Sequence, residues 1–207
     1  MLKNKNINDI IFDFGGVIIN IEYKDTINAF KDLGVKNFES MYSQSKQSRL
    51  FNQLETGHIS KKNFIKKIKC FMPVNTPNEK IISAWNAMIK DIPQKTIDYL
   101  IELKSKGYRI FLLSNTNEIH MEEAMKSWNK NNYTKPEKIF NKIYLSYKIG
   151  MRKPNKEIFN FICDKENLDP SKTLFIDDSI QHIKGAKSIG LSTHHLLNQV
   201  DLYSLFS

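Results

Sequence analysis

Polar residues that could do chemistry follow four apolar segments of the chain, each at the point where the segment ends. A carboxylate that comes after an apolar run and before two glycines suits a core poorly, but it can act as a nucleophile that forms covalent intermediates. It can also simply cap a turn, and the local pattern leaves both readings open. The residues concerned are Asp13, Ser114 with Asn115, Lys153, and the adjacent pair Asp177 and Asp178.

Alternating strand and helix patterns position these residues. Near-continuous apolar runs indicate strands that are buried on both faces, and they are separated by apolar residues at helical spacing. The alternation predicts an α/β fold with a Rossmann-like, mostly parallel sheet and helices on both faces. Because the carboxyl ends of parallel strands share one edge, we expect the polar groups to converge there. The predicted strands cover residues 7–14, 108–113, 143–146 and 173–176, with a short last strand after Gly190, and one helix is predicted to begin at Pro154.

Residues 20–91 have a different pattern, with apolar residues at helical spacing and no convincing strand. Breaks at Gly34, Gly57 and two prolines divide this section into about four predicted helices. We therefore expect a helical domain inserted after the first strand. The predicted division is an α/β core of residues 1–19 and 92–207 and a cap of residues 20–91.

Several oxygen-bearing groups among these residues could hold a divalent cation. Mg²⁺ is a hard cation that prefers oxygen ligands and keeps several of its waters. Asp177 and Asp178 supply two carboxylates, and Asp13 could share the ion through one of its oxygens. The backbone carbonyl of Gly15 could add another ligand. The sequence therefore predicts Mg²⁺ as the cofactor.

The remaining groups suit a phosphate ester. Ser114, Asn115 and nearby backbone N–H groups can hydrogen-bond to phosphate oxygens, and the Lys153 ammonium can neutralise their charge. Gly15 and Gly16 have no side chains, so the backbone can turn tightly there and approach a ligand closely. Together these groups predict phosphoryl transfer, in which positioning and charge stabilisation are the main catalytic contributions.

Four short sequences resemble, in the same order, the four motifs of the haloacid dehalogenase (HAD) superfamily: DFGGV, LLSNTN, GMRKP and FIDDS. The section at 20–91 resembles the superfamily's small helical C1 cap, and the chain resembles the small bacterial sugar-phosphate phosphatases typified by α-D-glucose-1-phosphate phosphatase. The resemblance implies that Asp13 is the nucleophile and that Ser114 and Lys153 bind phosphate. It also implies that Asp177, with Asp178 beside it, binds Mg²⁺. The implied activity is hydrolysis of a small phosphorylated metabolite, such as a sugar phosphate, through an aspartyl-phosphate.

Gly15 departs from the superfamily's usual pattern, because most of its phosphatases have a second aspartate at this position that protonates the leaving group and activates water. Such a general acid–base usually contributes ~10²–10⁴-fold. The enzyme could therefore be slow or act on good leaving groups, such as anomeric phosphates. A cap residue, Glu22, Glu55 or His58, could supply the proton instead. Otherwise the reaction is not phosphate hydrolysis.

Two alternatives to a phosphatase follow from Gly15. The superfamily's 2-haloacid dehalogenases also lack the second aspartate and use no metal, and a catalytically weak member could serve as a metabolite-binding protein. Two adjacent carboxylates at Asp177 and Asp178 repel each other unless a cation lies between them. A metal-free dehalogenase has no use for such a pair, so the sequence favours the phosphatase.

The charge of the chain does not indicate a nucleic-acid partner. The 207 residues carry a net charge of +9, but only three of the 31 basic residues are arginines, the side chain that groove readers favour. No apolar run approaches the ~18 residues needed to cross a bilayer, and no signal peptide is recognisable. The two cysteines show no CxxC spacing, which favours free thiols in a reducing cytoplasm. We expect a cytoplasmic protein without membrane or nucleic-acid partners, whose oligomeric state stays open.

Overall fold

Five parallel strands form one sheet in the computed structural model, which describes residues 6–42, 48–131 and 133–206. Their order across the sheet is β3-β2-β1-β4-β5, and every pairing is parallel. The predicted α/β class with a Rossmann-like sheet is therefore confirmed. The strands are β1 (Asp9–Phe12), β2 (Arg109–Ser114), β3 (Lys142–Leu145), β4 (Thr173–Asp177) and β5 (Ser192–His195).

The first strand lies at the centre of the sheet and is buried on both faces. From β1 the chain adds β2 and β3 on one side and then β4 and β5 on the other, so the strand order reverses at β1. In open α/β sheets the crevice at such a switch point is where ligands bind. Asp13 follows β1 directly, and its backbone N–H donates to the carbonyl of Ile176 at 2.9 Å, which places it against the end of β4.

Alternate side chains of the strands pack into two apolar layers. Ile10, Phe12 and Leu112 belong to one cluster, whereas Ile11 and Phe175 belong to the other. The helices that follow β1 in the core are α6 (Gln94–Ser105), α7 (Glu118–Lys130), α8 (Pro136–Ile139), α9 (Ser146–Ile149), α10 (Lys156–Glu166) and α11 (Ile180–Lys187).

The helix predicted to open at Pro154 begins two residues later, at Lys156, so that boundary was wrong. The Pro154 carbonyl lies against Gly185 of α11, where an added Cβ would come within 2.2 Å of the carbonyl oxygen. The chain therefore stays in a turn through Pro154, and it is this turn that carries Lys153 into the molecule.

The described residues between β1 and α6 form helices around an aromatic cluster that includes Phe30, Phe51 and Trp85. Ile119 of α7 belongs to the same cluster, so this helical section packs directly on the core. The division into a core of residues 1–19 and 92–207 and a cap of residues 20–91 stays a prediction, and we use the word cap for the helical section. Its helices are α1 (Tyr23–Asp32), α2 (Phe38–Met41), α3 (Arg49–Glu55), α4 (Lys61–Ile68) and α5 (Asn78–Asn86).

The two chain segments that join the cap to the core pair with each other. Asn20 N–H donates to the carbonyl of Asp91 at 2.9 Å, and Lys90 N–H donates to the carbonyl of Asn20 at 3.0 Å. Ile21 and Ile89 form an antiparallel bridge, and Glu22 N–H donates to the carbonyl of Met88 at 3.0 Å on its other side. We call this pairing the linker ribbon. Across the described ranges, no helix is both long and apolar enough to span a bilayer.

Candidate active site

The site is built around a lysine whose side chain is completely buried. The Nζ atom of Lys153 lies 2.7 Å from Oδ1 of Asp13, 2.7 Å from Oδ2 of Asp177 and 3.0 Å from the carbonyl oxygen of Leu113. Burial opposes the charge of this ammonium group, but the two carboxylates outweigh it and raise the pKa of Lys153. The lysine therefore stays charged and fixes the ends of β1 and β4 relative to each other.

Asn115 holds the backbone of Lys153 in place. Its Oδ1 accepts from the Lys153 N–H and its Nδ2 donates to the Lys153 carbonyl, both at 2.9 Å. The side-chain amide of Asn115 is thus committed to the loop that carries the lysine. Asn115 and Ser114 both line the cavity that contains Asp13, and their phosphate-binding roles stay predictions.

Asp13 is a buried carboxylate with weakened acidity. Burial, followed by repulsion from Asp177, raises the pKa of Asp13 to about 6, although Lys153 acts in the opposite direction. A carboxylate that has lost most of its water but is held by one strong donor is suited to nucleophilic attack. Asp13 lines the cavity, and its role as nucleophile stays a prediction.

The two adjacent aspartates lie in different environments. Asp177 is fully buried, and its Oδ1 accepts from Ser179 N–H at 2.8 Å and lies 2.9 Å from Nδ1 of His182. Burial raises the pKa of Asp177, but attraction to Lys153 and the contact with His182 together lower it. Asp178 instead lines the cavity together with Asp13. Asp177 therefore contacts other groups of the site while Asp178 lines the cavity, and the metal-binding roles of both stay predictions.

Both glycines of the first motif are explained by their neighbours. Gly16 has φ +73°, and an added Cβ would lie 2.5 Å from Oδ2 of Asp178, so a side chain is excluded there. Its N–H donates to the carbonyl of Ile19 at 2.8 Å and is thus engaged within the loop. Gly15 lines the cavity, and an added Cβ there would lie 3.2 Å from Cγ1 of Ile21. A side chain at Gly15 would therefore be tight against Ile21 of the linker ribbon, which would have to shift by a few tenths of an ångström.

His182 is a site residue that the sequence analysis missed. One atom each from Asp13, Asp177 and His182 lies within 4.8 Å of the others, close enough to share a metal ion. His182 lies in the first turns of α11, four residues after Asp178, so helical spacing alone could have placed it on the same side.

The cap closes the cavity from the other side. Of the three cap residues considered as proton donors, Glu55 is buried and lines the cavity. Glu22 is exposed and caps the N-terminus of α1, and His58 is exposed and contacts the hydroxyl of Thr56. A guanidinium nitrogen of Arg152 lies 3.0 Å from Oε2 of Glu55, so an ion pair joins cap and core at the cavity wall.

A parallel sheet with a charged site at its switch point, covered by an inserted helical section, defines an α/β enzyme of the Rossmann-like kind. The chain belongs to the haloacid dehalogenase-like hydrolase family, whose model matches residues 10–195. It is a hydrolase of that family.

Three relatives are similar over nearly the whole chain. A D-ribitol-5-phosphate phosphatase from Bacteroides thetaiotaomicron is 32% identical over 201 residues, which cover 97% of this chain and 95% of that protein. A HAD family enzyme from the same organism, solved as an alanine variant with magnesium and inorganic phosphate, is 35% identical with a TM-score of 0.83 and covers 91% of this chain and 93% of its own. A predicted HAD-like hydrolase from Porphyromonas gingivalis is 31% identical, with a TM-score of 0.82, and covers 91% of this chain and 90% of its own.

Proposed function

We propose that the protein is a Mg²⁺-dependent phosphatase that hydrolyses a small phosphorylated metabolite, a sugar or polyol phosphate, through an aspartyl-phosphate on Asp13. The observation that carries the proposal is the buried cluster in which Lys153 joins Asp13 to Asp177 at the switch point of the sheet. The relative named as a D-ribitol-5-phosphate phosphatase supports this activity and this class of substrate.

The donor set suits magnesium. Asp13 and Asp178 both line the cavity with Gly15, whose carbonyl is a further oxygen, and oxygen is the ligand atom that Mg²⁺ prefers. Asp177 already contacts Lys153, Ser179 and His182, so we assign it to ordering these groups. We therefore propose Asp178 as the more direct of the two carboxylate ligands. A bound Mg²⁺ supplies charge stabilisation to the phosphate oxygens.

The protein's own residues then perform the transfer. Lys153 holds Oδ1 of Asp13, so we assign the attack on phosphorus to the other oxygen of this carboxylate. The bond between phosphorus and the leaving-group oxygen breaks as the aspartyl-phosphate forms. Ser114 and the positive charge of Lys153 stabilise the phosphate oxygens, as preorganised groups do in phosphoryl transfer. Water then attacks the intermediate, which releases phosphate and restores the Asp13 carboxylate.

Gly15 determines which substrates are turned over fast. Gly15 has no carboxylate to transfer a proton, and Ile21 lies close to it, so the leaving group obtains less help from the protein at this point. A leaving group of low pKa needs less protonation, and we propose that anomeric and other activated phosphates are hydrolysed fastest. We also infer that the enzyme works in the cytoplasm, which the free thiols of Cys70 and Cys163 support.

The second candidate function is that of a metal-independent dehalogenase, and Ile21 beside Gly15 is the observation that favours it. In that case Asp13 would attack carbon instead of phosphorus. The cavity-facing Asp178, next to Asp177, argues against it, because two adjacent carboxylates at the cavity suit a bound cation, which a metal-free reaction does not use.

The test is a phosphate-release screen over phosphorylated metabolites and an aryl phosphate, with Mg²⁺ and with EDTA. We expect turnover that EDTA removes and that the Asp13→Asn variant loses by a factor of about 10³ or more, because the nucleophile is gone. Circular dichroism should show an unchanged fold. Retained turnover in Asp13→Asn would refute the nucleophile, and turnover of a 2-haloacid that EDTA does not affect would favour the dehalogenase.

A further inference from the structure

The ion pair between Glu55 and Arg152 lies inside the cavity and not on the surface. Their side chains are 5% and 20% exposed, and both residues line the cavity that contains Asp13. Glu55 comes from the last turn of α3 in the cap, and Arg152 directly precedes Lys153 in the core. A substrate held over Asp13 would therefore share its cavity with this pair.

The backbone around Glu55 is fitted closely to the core. Gly57, two residues after Glu55, has φ +70°, and an added Cβ would lie 2.1 Å from the carbonyl oxygen of Tyr147 in α9. This contact sets the end of α3 directly on the core backbone. The position of Glu55 opposite Arg152 is thus fixed by backbone contact and does not depend on the ion pair alone.

The wall around the pair holds no excess positive charge. Arg152 is the one arginine or lysine among the described residues that line the cavity, and Glu55 neutralises it. His182 is committed to Asp177 at 2.9 Å. Burial lowers the pKa of His120 to about 4, so this cavity residue is uncharged at neutral pH.

Neutral hydrogen-bonding groups complete this side of the cavity. Burial raises the pKa of Tyr23, with smaller contributions from Asp178 and Asp13, and burial also raises the pKa of Tyr42, so both phenols stay protonated. The Arg152 side chain is 20% exposed, so its guanidinium adds N–H donors beside its contact with Glu55. Donors and acceptors of this kind match a leaving group that is uncharged and rich in hydroxyls.

We propose that the Glu55–Arg152 pair selects phosphate monoesters whose leaving group is a neutral polyol or sugar and rejects those that carry a second phosphate or a carboxylate. This inference rests on the proposed phosphatase activity. The Glu55 carboxylate accepts hydrogen bonds from substrate hydroxyls, and the Arg152 guanidinium donates to them. A second anionic group on the substrate would need an uncompensated cation at this wall of the cavity. Arg152 is instead neutralised by Glu55, and the Glu55 carboxylate repels the anion.

The experiment compares three substrates with Mg²⁺: a pentitol 5-phosphate, the matching 1,5-bisphosphate and p-nitrophenyl phosphate. In Glu55→Gln, kcat/KM for the pentitol monophosphate relative to the aryl phosphate should fall roughly tenfold to a hundredfold, as expected for a lost hydrogen bond to a charged group, and mainly through KM. Arg152 then becomes an uncompensated cation, so activity on the bisphosphate should rise relative to the monophosphate.

A second variant separates selection from mere support of the cap. Arg152→Gln leaves the negative charge of Glu55 uncompensated. Activity on the bisphosphate should therefore fall relative to activity on the monophosphate, which is the opposite direction to Glu55→Gln. Both variants break the same ion pair. If the pair only braced the cap, the two variants would shift the three substrates equally and in the same direction, and that result would overturn the proposal.

The matched control is another ion pair between cap and core. Lys61 and Glu122 lie 2.5 Å apart, with side chains 30% and 50% exposed and outside this cavity. Glu122→Gln should leave all three substrate ratios unchanged. If Glu122→Gln changes the ratios of kcat/KM among the three substrates in the same way as Glu55→Gln, the proposed selectivity is refuted. Wild-type activity on p-nitrophenyl phosphate separately tests the phosphatase itself, so an inactive wild type would refute the proposed function and not merely the selectivity.

Discussion

The core side of the cavity has a buried charged cluster around Lys153, with Arg152 and Asp178 also in its lining, whereas the cap side presents aromatic residues and one carboxylate that contacts the core. On the core side, Asp13, Asp177 and His182 are each held by at least one contact of 3.0 Å or less. On the cap side, Tyr23 and Tyr42 contribute neutral surface next to Glu55.

The difference suggests a division of tasks between the two sides. Preorganised charge is most effective where water is excluded and the groups cannot reorient, and the cluster around Lys153 meets both conditions. Neutral surface with one compensated ion pair does little for the reaction itself but discriminates among leaving groups. We therefore expect changes on the core side to affect every substrate and changes on the cap side to affect substrates unequally.

The largest expected effect is the removal of the charge at the centre of the cluster. Lys153→Met leaves Asp13 and Asp177 as neighbouring buried carboxylates, which should lower the free energy of unfolding by about 3–5 kcal/mol. Added Mg²⁺ should also raise the free energy of urea unfolding more in this variant than in the wild type, because the cation could then replace the ammonium group.

The control for this variant is Lys90→Met. This change breaks the 2.5 Å ion pair between Lys90 in the linker ribbon and Asp25 in the cap, whose side chains are 36% and 45% exposed. It should lower the free energy of unfolding by no more than about 1 kcal/mol. Equal losses in the two variants would mean that the buried cluster has no special role in stability.

A smaller effect concerns the boundary between the two sides. Nε2 of His120 in α7 lies 3.0 Å from the carbonyl of Trp85 in the cap, and burial lowers the pKa of His120 from 6.5 to about 4. The unfolded chain binds the proton more readily than the folded protein does. The contribution of neutral His120 to the free energy of unfolding is therefore complete above pH 6.5 and is lost as the pH falls toward 4. The loss should reach roughly 3 kcal/mol at most.

The measurement is the unfolding free energy of the wild type and of His120→Gln across this range. Because glutamine does not titrate, the difference between the two proteins isolates the histidine. The wild type should lose more stability than the variant on acidification. Parallel pH profiles would contradict the assignment of a neutral buried histidine.

The smallest expected effect tests the place of the missing aspartate. In Gly15→Asp the new side chain meets Ile21, so we expect no gain in turnover of an alkyl phosphate and a loss of stability of about 1–3 kcal/mol. Gly15→Asp combined with Ile21→Ala should restore stability in part and raise turnover by up to ~10²-fold, the usual contribution of a general acid–base. A gain in the single variant would show that Ile21 does not block this position.

Much of the core side was predictable, because it depends on local patterns. Apolar runs gave the strands to within a few residues, and the parallel arrangement brought Asp13, Ser114, Lys153 and Asp177 to one edge. The complete burial of Lys153 was not predictable, since a lysine before a proline is ordinarily exposed.

The cap side could not be predicted in the same way. The contact between Glu55 and Arg152 and the insertion of Ile21 beside Gly15 join residues from different elements. No spacing in the sequence specifies such contacts, because they depend on how the helices of the cap lie on the sheet. The sequence could name Glu55 as one of three candidates, and the tertiary packing separates it from Glu22 and His58.

The linker ribbon limits how the cap can move. Because the segments at Asn20 and Lys90 are hydrogen-bonded to each other, one cannot slide or rotate without the other, and the pair behaves as a short two-stranded strip. Such a strip flexes across its flat face more easily than within its plane. Opening of the cavity should therefore follow a single bending direction, along which Ile21 moves with the cap. Gly15, on the core, would then be uncovered in each open state and covered again in each closed one.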